Sequence, residues 1–232
     1  MAVHEQIGLI RQQLPPGVRL VAVTKQVPVE AIREAYAAGV RDFGENRVQE
    51  AQAKLPKLAD LAGVQWHLIG TLQRNKVRPA VELFDWIDSV DSLALAERLN
   101  AIIAAGTRRP KLLLQVKLAE DPTKSGWSEA QLEAALPHLA GMSALDIRGL
   151  MAIAPLGLTG DETRHLFERV ARLARSIAAR AAAAGWQTIR MEELSMGMSG
   201  DFPLAVQAGA TMVRLGQILF GARSTVRRIA DE

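Results

Sequence analysis

The chain of 232 residues contains no cysteine. This absence excludes disulfides, thiolate metal sites, iron–sulfur clusters and a cysteine nucleophile. Its four histidines, His4, His67, His138 and His165, show none of the short spacings that are typical of zinc ligands. We therefore expect no metal site in this protein.

Long apolar runs are also missing. No stretch reaches the roughly 20 residues that a membrane-spanning helix needs. The N-terminus, MAVHEQIGLIRQQL, lacks the apolar core and small-residue cleavage site of a signal peptide. These two absences predict a soluble, cytoplasmic protein without a membrane partner.

Neither sign of charge dominates. The chain has 28 Lys and Arg and 25 Asp and Glu, which gives a formal net charge of +3. The densest basic segments are QRNKVR (73–78) and RSTVRR (223–228), and neither is interleaved with aromatic residues. Nothing in this distribution indicates a nucleic-acid partner. No linker or low-complexity tract divides the chain, so residues 1–232 are predicted to form a single domain.

What the sequence does contain is a recurring alternation of short apolar runs and longer segments at helical spacing. After a first helix predicted over 3–13, the predicted strands are 19–25, 40–46, 64–70, 85–91, 111–118, 146–153, 188–197 and 211–216. Helices are predicted over 29–38, 48–61, 92–105, 128–139, 161–184 and 201–210. Eight units of about 29 residues favour an α/β fold, a (β/α)8 TIM barrel with an extra N-terminal helix. The rival, a doubly wound open sheet, is disfavoured because no G-x-G-x-x-G follows the first strand.

The active site of a TIM barrel lies where its strands end. Lys25 closes the first predicted strand after the apolar residues LVAVT. A lysine in this position is costly unless it has a chemical function or an ion-pair partner. The pattern leaves two interpretations open, a Schiff-base amine or a partner of Glu45, Asp88 or Asp91.

Glycine-rich turns follow the seventh and eighth predicted strands, where such barrels often bind phosphate. The first turn offers the hydroxyls of Ser195 and Ser199 and the amides near Met196 and Gly197, and the second offers Gly216 and Gln217. Other polar or flexible side chains at strand ends are Asn46, His67, Met151 and Arg214. Together with Lys25 they suggest an aldehyde cofactor held at both ends, with a barrel that binds only a sugar phosphate as the alternative.

The motifs at these positions have a specific resemblance. They are AVTK (22–25), FGENRVQE (43–50), WHLIGTLQRNK (66–76), KSGW (124–127), IRGLMAI (147–153) and LSMGMSGDFPLAVQAGATMVRLGQILFGAR (194–223). In this order, and over nearly the whole chain, they resemble the pyridoxal phosphate homeostasis protein family. Members of this family are single-domain relatives of the barrel half of alanine racemase.

The resemblance implies that pyridoxal 5'-phosphate (PLP) is the cofactor, with Lys25 as the lysine of the internal aldimine. It implies that Arg214 contacts the pyridine nitrogen, and that Asn46, His67 and Met151 line the pocket. The residues that it places around the phosphate are Ser195, Met196, Gly197, Gly216 and Gln217. Gln217 departs from the family pattern, in which many relatives have Thr or Ser, so only its backbone amide is expected to contact phosphate.

Arginine cannot accept a hydrogen bond, so a ring nitrogen that it contacts stays unprotonated and the ring is a poor electron sink. Related racemases also need a tyrosine from a partner's C-terminal β domain, and no such domain follows the eighth unit here. The single tyrosine, Tyr36, lies in the predicted helix 29–38. The resemblance therefore implies a monomeric protein of PLP homeostasis with little or no catalysis, which buffers, carries or delivers the cofactor to PLP-dependent apo-enzymes. The alternative is a PLP-dependent racemase or lyase that recruits His67 or a water as second base.

Overall fold

Eight parallel strands alternate with helices in the computed structural model, which describes residues 2–121 and 123–221. The strands are β1 (Arg19–Val23), β2 (Asp42–Glu45), β3 (Gln65–Leu68), β4 (Trp86–Val90), β5 (Lys111–Val116), β6 (Asp146–Ala152), β7 (Ile189–Ser195) and β8 (Met212–Leu215). They pair in chain order, and β8 closes the barrel against β1 with Arg214 level with Val21. The predicted TIM barrel is confirmed.

The helices surround this barrel. They are α1 (Val3–Gln13), α2 (Val29–Ala37), α3 (Val48–Lys54), α4 (Val77–Leu83), α5 (Leu93–Ala104), α6 (Glu129–Ala140), α7 (Gly160–Ala184), α8 (Phe202–Gln207) and α9 (Gln217–Phe220). Short 3₁₀ turns occupy Leu55–Leu58 and Arg74–Lys76. The predicted N-terminal helix is confirmed as α1, whereas α4 and α9 were not predicted because both are short. The basic segment 223–228 lies outside the described residues.

Several helix ends follow from local side-chain chemistry. Ser128 precedes α6, and its hydroxyl accepts a hydrogen bond from the Gln131 amide at 3.2 Å, as is typical of an N-cap. At the far end of α7, Gly185 adopts a φ of +68°, a left-handed conformation that glycine enters without a steric penalty. These two residues therefore determine where α6 begins and where α7 ends.

The apolar side chains form two layers. The larger layer lies between the strands and the helices and includes the fully buried Phe43, Phe84 and Phe167. A smaller cluster fills part of the barrel interior and contains Val21, Trp86, Leu113, Met151 and Met212. Among the described helices, none has the length and apolar composition required to cross a bilayer.

Four predicted site residues lie just beyond the strands. Lys25 and Gly197 come two residues after β1 and β7, while Asn46 and Gly216 directly follow β2 and β8. The strands are therefore shorter than the sequence predicts, and these residues lie in loops at the carboxyl-terminal mouth of the barrel. Such loops build the active sites of TIM-barrel proteins.

Candidate functional site

Arg214 is the most deeply buried cation at the carboxyl-terminal mouth, with 4% of its surface exposed. Its Nη1 donates to the carbonyl oxygen of Ser195 at 2.6 Å and to the hydroxyl of the same residue at 2.9 Å. Its Nη2 donates to the carbonyl oxygen of Ala152 at 2.8 Å. The guanidinium thus joins the ends of β6, β7 and β8.

No carboxylate among the described residues lies within ion-pair distance of this guanidinium. Burial lowers the pKa of Arg214, and the more distant charges of Asp88 and Asp201 only partly oppose that effect. Three of the five guanidinium N–H groups donate to partners in the described part of the chain, which leaves two for a ligand. A buried cation in this condition is well suited to contact an acceptor atom on a bound molecule.

The two glycine-rich turns beside Arg214 leave little room for side chains. Gly197 has a φ of +93°, and a Cβ built there would lie 2.7 Å from the Ala205 Cβ. A Cβ at Gly216 would lie 3.2 Å from the Cβ of Val23, the last residue of β1. The first turn therefore packs closely on α8 and the second on the end of β1, the strand that leads to Lys25.

Lys25 lies in the turn between β1 and α2 and is half-buried. It follows Val23, the last residue of β1, by two residues, so it lies at the carboxyl-terminal end of the strand whose Val21 belongs to the cluster in the barrel interior. The position of Lys25 thus agrees with the predicted amine at the mouth.

Asn46 is half-buried and directly follows β2, the neighbour of β1. Its backbone packs closely against the loop after β3, because a Cβ at Gly70 would lie only 2.2 Å from the Asn46 carbonyl oxygen. Ser89 in β4 donates to the carbonyl oxygen of Gly70 at 2.7 Å. These contacts fix the loop that carries Asn46 against the loop after β3, beside the turn that carries Lys25.

His67 lies deeper in the barrel than the sequence suggests. It is fully buried in β3, and its ring stacks on Trp86 with centroids 5.2 Å apart. Nδ1 lies 3.2 Å from Asp88 Oδ1, and Nε2 lies 3.1 Å from Asp42 Oδ1. Both ring nitrogens therefore contact carboxylates of the protein.

Burial alone would lower the pKa of His67, but the charges and hydrogen bonds of Asp88 and Asp42 outweigh it and raise this pKa to about 9. The imidazole is consequently protonated at neutral pH, with both N–H groups used. Asp42 also lies 3.4 Å from Arg19, whose guanidinium sits 4.7 Å from the Trp86 ring centroid. His67 thus belongs to a chain of opposite charges inside the barrel.

Three other predicted residues differ in how they face the mouth. Met151 is fully buried in the interior cluster beside Met212. Met196 is fully buried, and its amide already donates to the carbonyl oxygen of Met212 at 3.1 Å. Gln217 is exposed and begins α9. The structure therefore brings Asn46, Ser195, Gly197, Arg214, Gly216 and Gln217 together with Lys25 around the mouth, and leaves His67 and the Met196 amide engaged elsewhere.

Tyr36 lies far from this mouth. Its hydroxyl donates to the carbonyl oxygen of Ala62 at 3.0 Å, and Ala62 precedes β3. The Arg41 guanidinium covers its ring at 4.0 Å. The phenol is thus held at the amino-terminal end of the strands, opposite Lys25.

Residues that the sequence did not single out surround the Lys25 turn. Lys54 and Glu50 in α3 contact the backbone on either side of Lys25. The sequence does hold a signal for their contact, because Glu50 and Lys54 lie four residues apart in the helix predicted over 48–61, a spacing that favours an ion pair. Taken together, the mouth offers an amine, a buried guanidinium with two remaining donors and two turns that contain glycine. This donor set fits an aromatic aldehyde that carries a phosphate.

Comparison with known proteins agrees with this geometry. The sequence model described as "Alanine racemase, N-terminal domain" matches residues 1–224. PipY of Synechococcus elongatus PCC7942, solved without PLP, is 56% identical with a TM-score of 0.90, covering 94% of this chain and all of that one. The structure of PipY with PLP bound is 55% identical, with a TM-score of 0.88 and the same coverage.

More distant structures share the fold alone. Alanine racemase from Corynebacterium glutamicum is 19% identical with a TM-score of 0.70, and the match covers 97% of this chain but 61% of that one. Among curated proteins, the pyridoxal phosphate homeostasis protein of Synechocystis is 48% identical, over 90% of this chain and 94% of its own length. The protein of that name from Escherichia coli K12 is 40% identical over 90% and 87%. This chain therefore belongs to the pyridoxal phosphate homeostasis protein family.

Proposed function

We propose that this protein binds PLP through a Schiff base to Lys25 and acts in PLP homeostasis. It would buffer, carry or deliver the cofactor to PLP-dependent apo-enzymes, and so affect the balance of amino acids and keto acids. PipY, which has been solved with PLP bound, shares 55% identity with 94% of this chain and supports the assignment of the ligand.

The observation that carries the proposal is the state of Arg214. It is buried, it is held by the main chain and hydroxyl of Ser195, and it retains donors with no acceptor among the described residues. Such a group stabilises an acceptor such as a pyridine nitrogen, because the hydrogen bond is formed away from water. PLP supplies the aldehyde, and the Lys25 amine joins its carbon to form a C=N bond with loss of one water.

Little or no catalysis is proposed because the candidates for a second base are engaged. His67 is protonated at neutral pH and contacts a carboxylate through each ring nitrogen. Tyr36 is bonded at the other end of the strands. Neither group is placed to exchange a proton with a substrate at Lys25, and a racemase needs a base on each face of the substrate.

We also propose that the protein works as a monomer. The large apolar side chains exposed on the described surface are Leu9 in α1 and Leu156 in the loop before α7. They lie on different elements and form no contiguous apolar patch of the kind that marks a stable interface. Sedimentation velocity at micromolar concentration should give a single species of about 25 kDa, and a dimer would overturn this part of the proposal.

The proposal is tested by the visible absorbance spectrum of the purified protein, before and after borohydride reduction, followed by peptide mapping. We expect a yellow protein whose reduced adduct maps to Lys25. Lys25→Ala should abolish the adduct, while Lys76→Ala and Lys117→Ala, matched controls in the segments after β3 and β5, should retain it. A colourless chain that cannot be reconstituted with PLP would overturn the proposed function.

A further inference from the structure

Three charged side chains lie under the turn that carries Lys25. Glu45, the last residue of β2, is fully buried on the face of the strand that packs against the helices. Lys54 Nζ donates to Glu45 Oε1 at 3.0 Å and to Glu50 Oε1 at 2.6 Å. We call Glu45, Glu50 and Lys54 the anchor cluster.

The anchor cluster contacts the chain on both sides of Lys25. Before it, the carbonyl oxygen of Thr24 accepts a hydrogen bond from Lys54 Nζ at 2.7 Å, and the Thr24 hydroxyl donates to Glu45 Oε1 at 2.7 Å. After it, the Gln26 amide donates to Glu50 Oε1 at 2.5 Å. Lys25 is therefore the one residue between two points that the same cluster holds.

The conformation of the turn shows why such contacts are needed. Gln26 has a φ of +60°, in the left-handed region that residues other than glycine rarely adopt. A strained residue of this kind persists only where surrounding contacts determine its conformation. The contact from Glu50 to the Gln26 amide supplies this constraint and sets the direction in which the chain leaves β1.

A buried ion pair is a poor means of gaining stability, because desolvating both charges offsets their attraction. Burial raises the pKa of the Glu45 carboxyl, and its Oε2 atom has no hydrogen-bond partner in the described part of the chain. The side chains of Lys54 and Glu50 are 13% and 22% exposed, and that of Glu45 is fully buried, so water has little access to the cluster. An arrangement with this cost is expected where it fixes a geometry.

We propose that the anchor cluster is a positioning device for the Lys25 amine. It holds the backbone of residues 24–26 so that the amine meets the aldehyde carbon without first ordering its turn. Lys54, Glu45 and Glu50 are positioning residues, since none of them is placed to touch the cofactor. This inference rests on the proposed function, with Lys25 as the amine that forms the Schiff base.

The test compares the wild type with a double variant at Lys54 and Glu45, which we call the neutral pair because both new side chains are uncharged. Lys54→Met combined with Glu45→Gln removes the charges of Glu45 and Lys54 and the contact to the Thr24 carbonyl. The Glu50 carboxylate loses its contact with Lys54 but is 22% exposed, so water can solvate it. Lys57→Met, which changes an exposed lysine in the next turn of the chain, is the matched control. Glu50→Gln and Glu50→Ala form a second pair, because only glutamine keeps an acceptor for the Gln26 amide.

The first measurement is hydrogen exchange in the cofactor-free protein. In the neutral pair, the amides of Gln26 and Val27 should exchange about tenfold faster or more, although neither donates to a changed side chain. Lys57→Met should leave them unchanged, and Glu50→Gln should protect the Gln26 amide better than Glu50→Ala. Unchanged exchange in both the neutral pair and Glu50→Ala would overturn the proposal.

The second measurement is the association constant for Schiff-base formation, followed by absorbance with PLP and with pyridoxal, which lacks the phosphate. We expect both constants to fall by the same factor, about tenfold, because the change acts on the amine and not on the phosphate. Faster exchange with unchanged constants would mean that the cluster holds the turn without positioning the amine. Failure of the proposed function is distinct, since it appears as no adduct at Lys25 in the wild type.

Discussion

Arg214 and Ser195 are bonded twice, through the main-chain oxygen at 2.6 Å and the hydroxyl at 2.9 Å of Ser195. The family resemblance assigns Arg214 to the pyridine ring and Ser195 to the phosphate. Their direct contact means that the two parts of the proposed site form one unit. A change at either residue should therefore affect both ends of the cofactor.

Arg214→Leu should increase the rate at which PLP dissociates while the Lys25 adduct still forms. The loss of a charge-assisted hydrogen bond to the ring is expected to raise this rate about tenfold or more. The measurement is transfer of PLP to an excess of a scavenging apo-enzyme, followed by absorbance. The variant also leaves the Ala152 and Ser195 carbonyl oxygens without their donor, so a destabilisation of about 1–3 kcal/mol accompanies it. An unchanged dissociation rate would show that Arg214 does not contact the ring.

Gly197→Ala should destabilise the protein by about 2–4 kcal/mol, since it adds strain at φ +93° and a Cβ 2.7 Å from the Ala205 Cβ. It should also weaken PLP binding, because the turn before α8 must move. Gly200→Ala, in the same loop with nothing within 4 Å of its Cβ, is the control and should change the free energy of unfolding by no more than about 0.5 kcal/mol. Urea unfolding measures both, and equal effects would refute the steric argument.

Stability should decrease with pH on the alkaline side because of His67. Its pKa in the folded protein is about 9, above the value of about 6.5 for an unfolded histidine. The folded state thus binds the proton more tightly, and the resulting stabilisation is fully present below pH 6.5 and lost as pH rises through 9. We expect a loss of a few kcal/mol in the free energy of unfolding across that window.

The titration can be assigned by NMR of the histidine rings. One resonance should titrate near pH 9 and should survive in a His138→Gln variant, whose side chain is exposed and pairs only with Glu97 among the described residues. If every histidine resonance titrated below pH 7, the contacts of His67 with Asp42 and Asp88 would be wrong.

Amino acids should not exchange their α-protons on the PLP-loaded protein at enzymatic rates. The physical reason is the engagement of His67 and Tyr36, which leaves no second base at the mouth. The experiment incubates the loaded protein with a panel of L-amino acids in D₂O and follows deuterium at the α-carbon, with an alanine racemase as the positive control. Incorporation faster than about 1 s⁻¹ for any amino acid would favour the racemase or lyase alternative.

Much of the barrel could be predicted because strands such as β1 (RLVAV) and β5 (KLLLQV) are short apolar runs, and predicted helices separate most of the strands. The same pattern located Lys25, Asn46, Gly197 and Gly216 at strand ends. Such a prediction needs only the order of strands and helices along the chain and no tertiary contact. α4 escaped prediction, since its seven residues include Pro79 near the start and follow the 3₁₀ turn at Arg74–Lys76. Short helices carry too few residues to establish a 3.6-residue period.

The environment of His67 could not be read from the sequence. Its partners Asp42 and Asp88 lie 25 and 21 residues away along the chain and meet it only because β2, β3 and β4 are adjacent in the closed sheet. Burial inside the barrel and the contacts with both carboxylates make His67 a charged residue with both ring nitrogens bonded. The contacts of Lys54 with the Thr24 carbonyl likewise depend on how α3 packs on the strands, which no local pattern specifies.

The charged chain through Arg19, Asp42 and His67, together with Trp86, occupies the lower part of the barrel interior. Since these side chains fill that half, we expect a ligand bound near Lys25 to arrive and to leave through the carboxyl-terminal opening. PLP that leaves the protein and PLP that enters from solution would then use the same opening. A protein that covers this opening while PLP is bound would slow the departure of PLP, and direct transfer would require that the recipient approach from the same side.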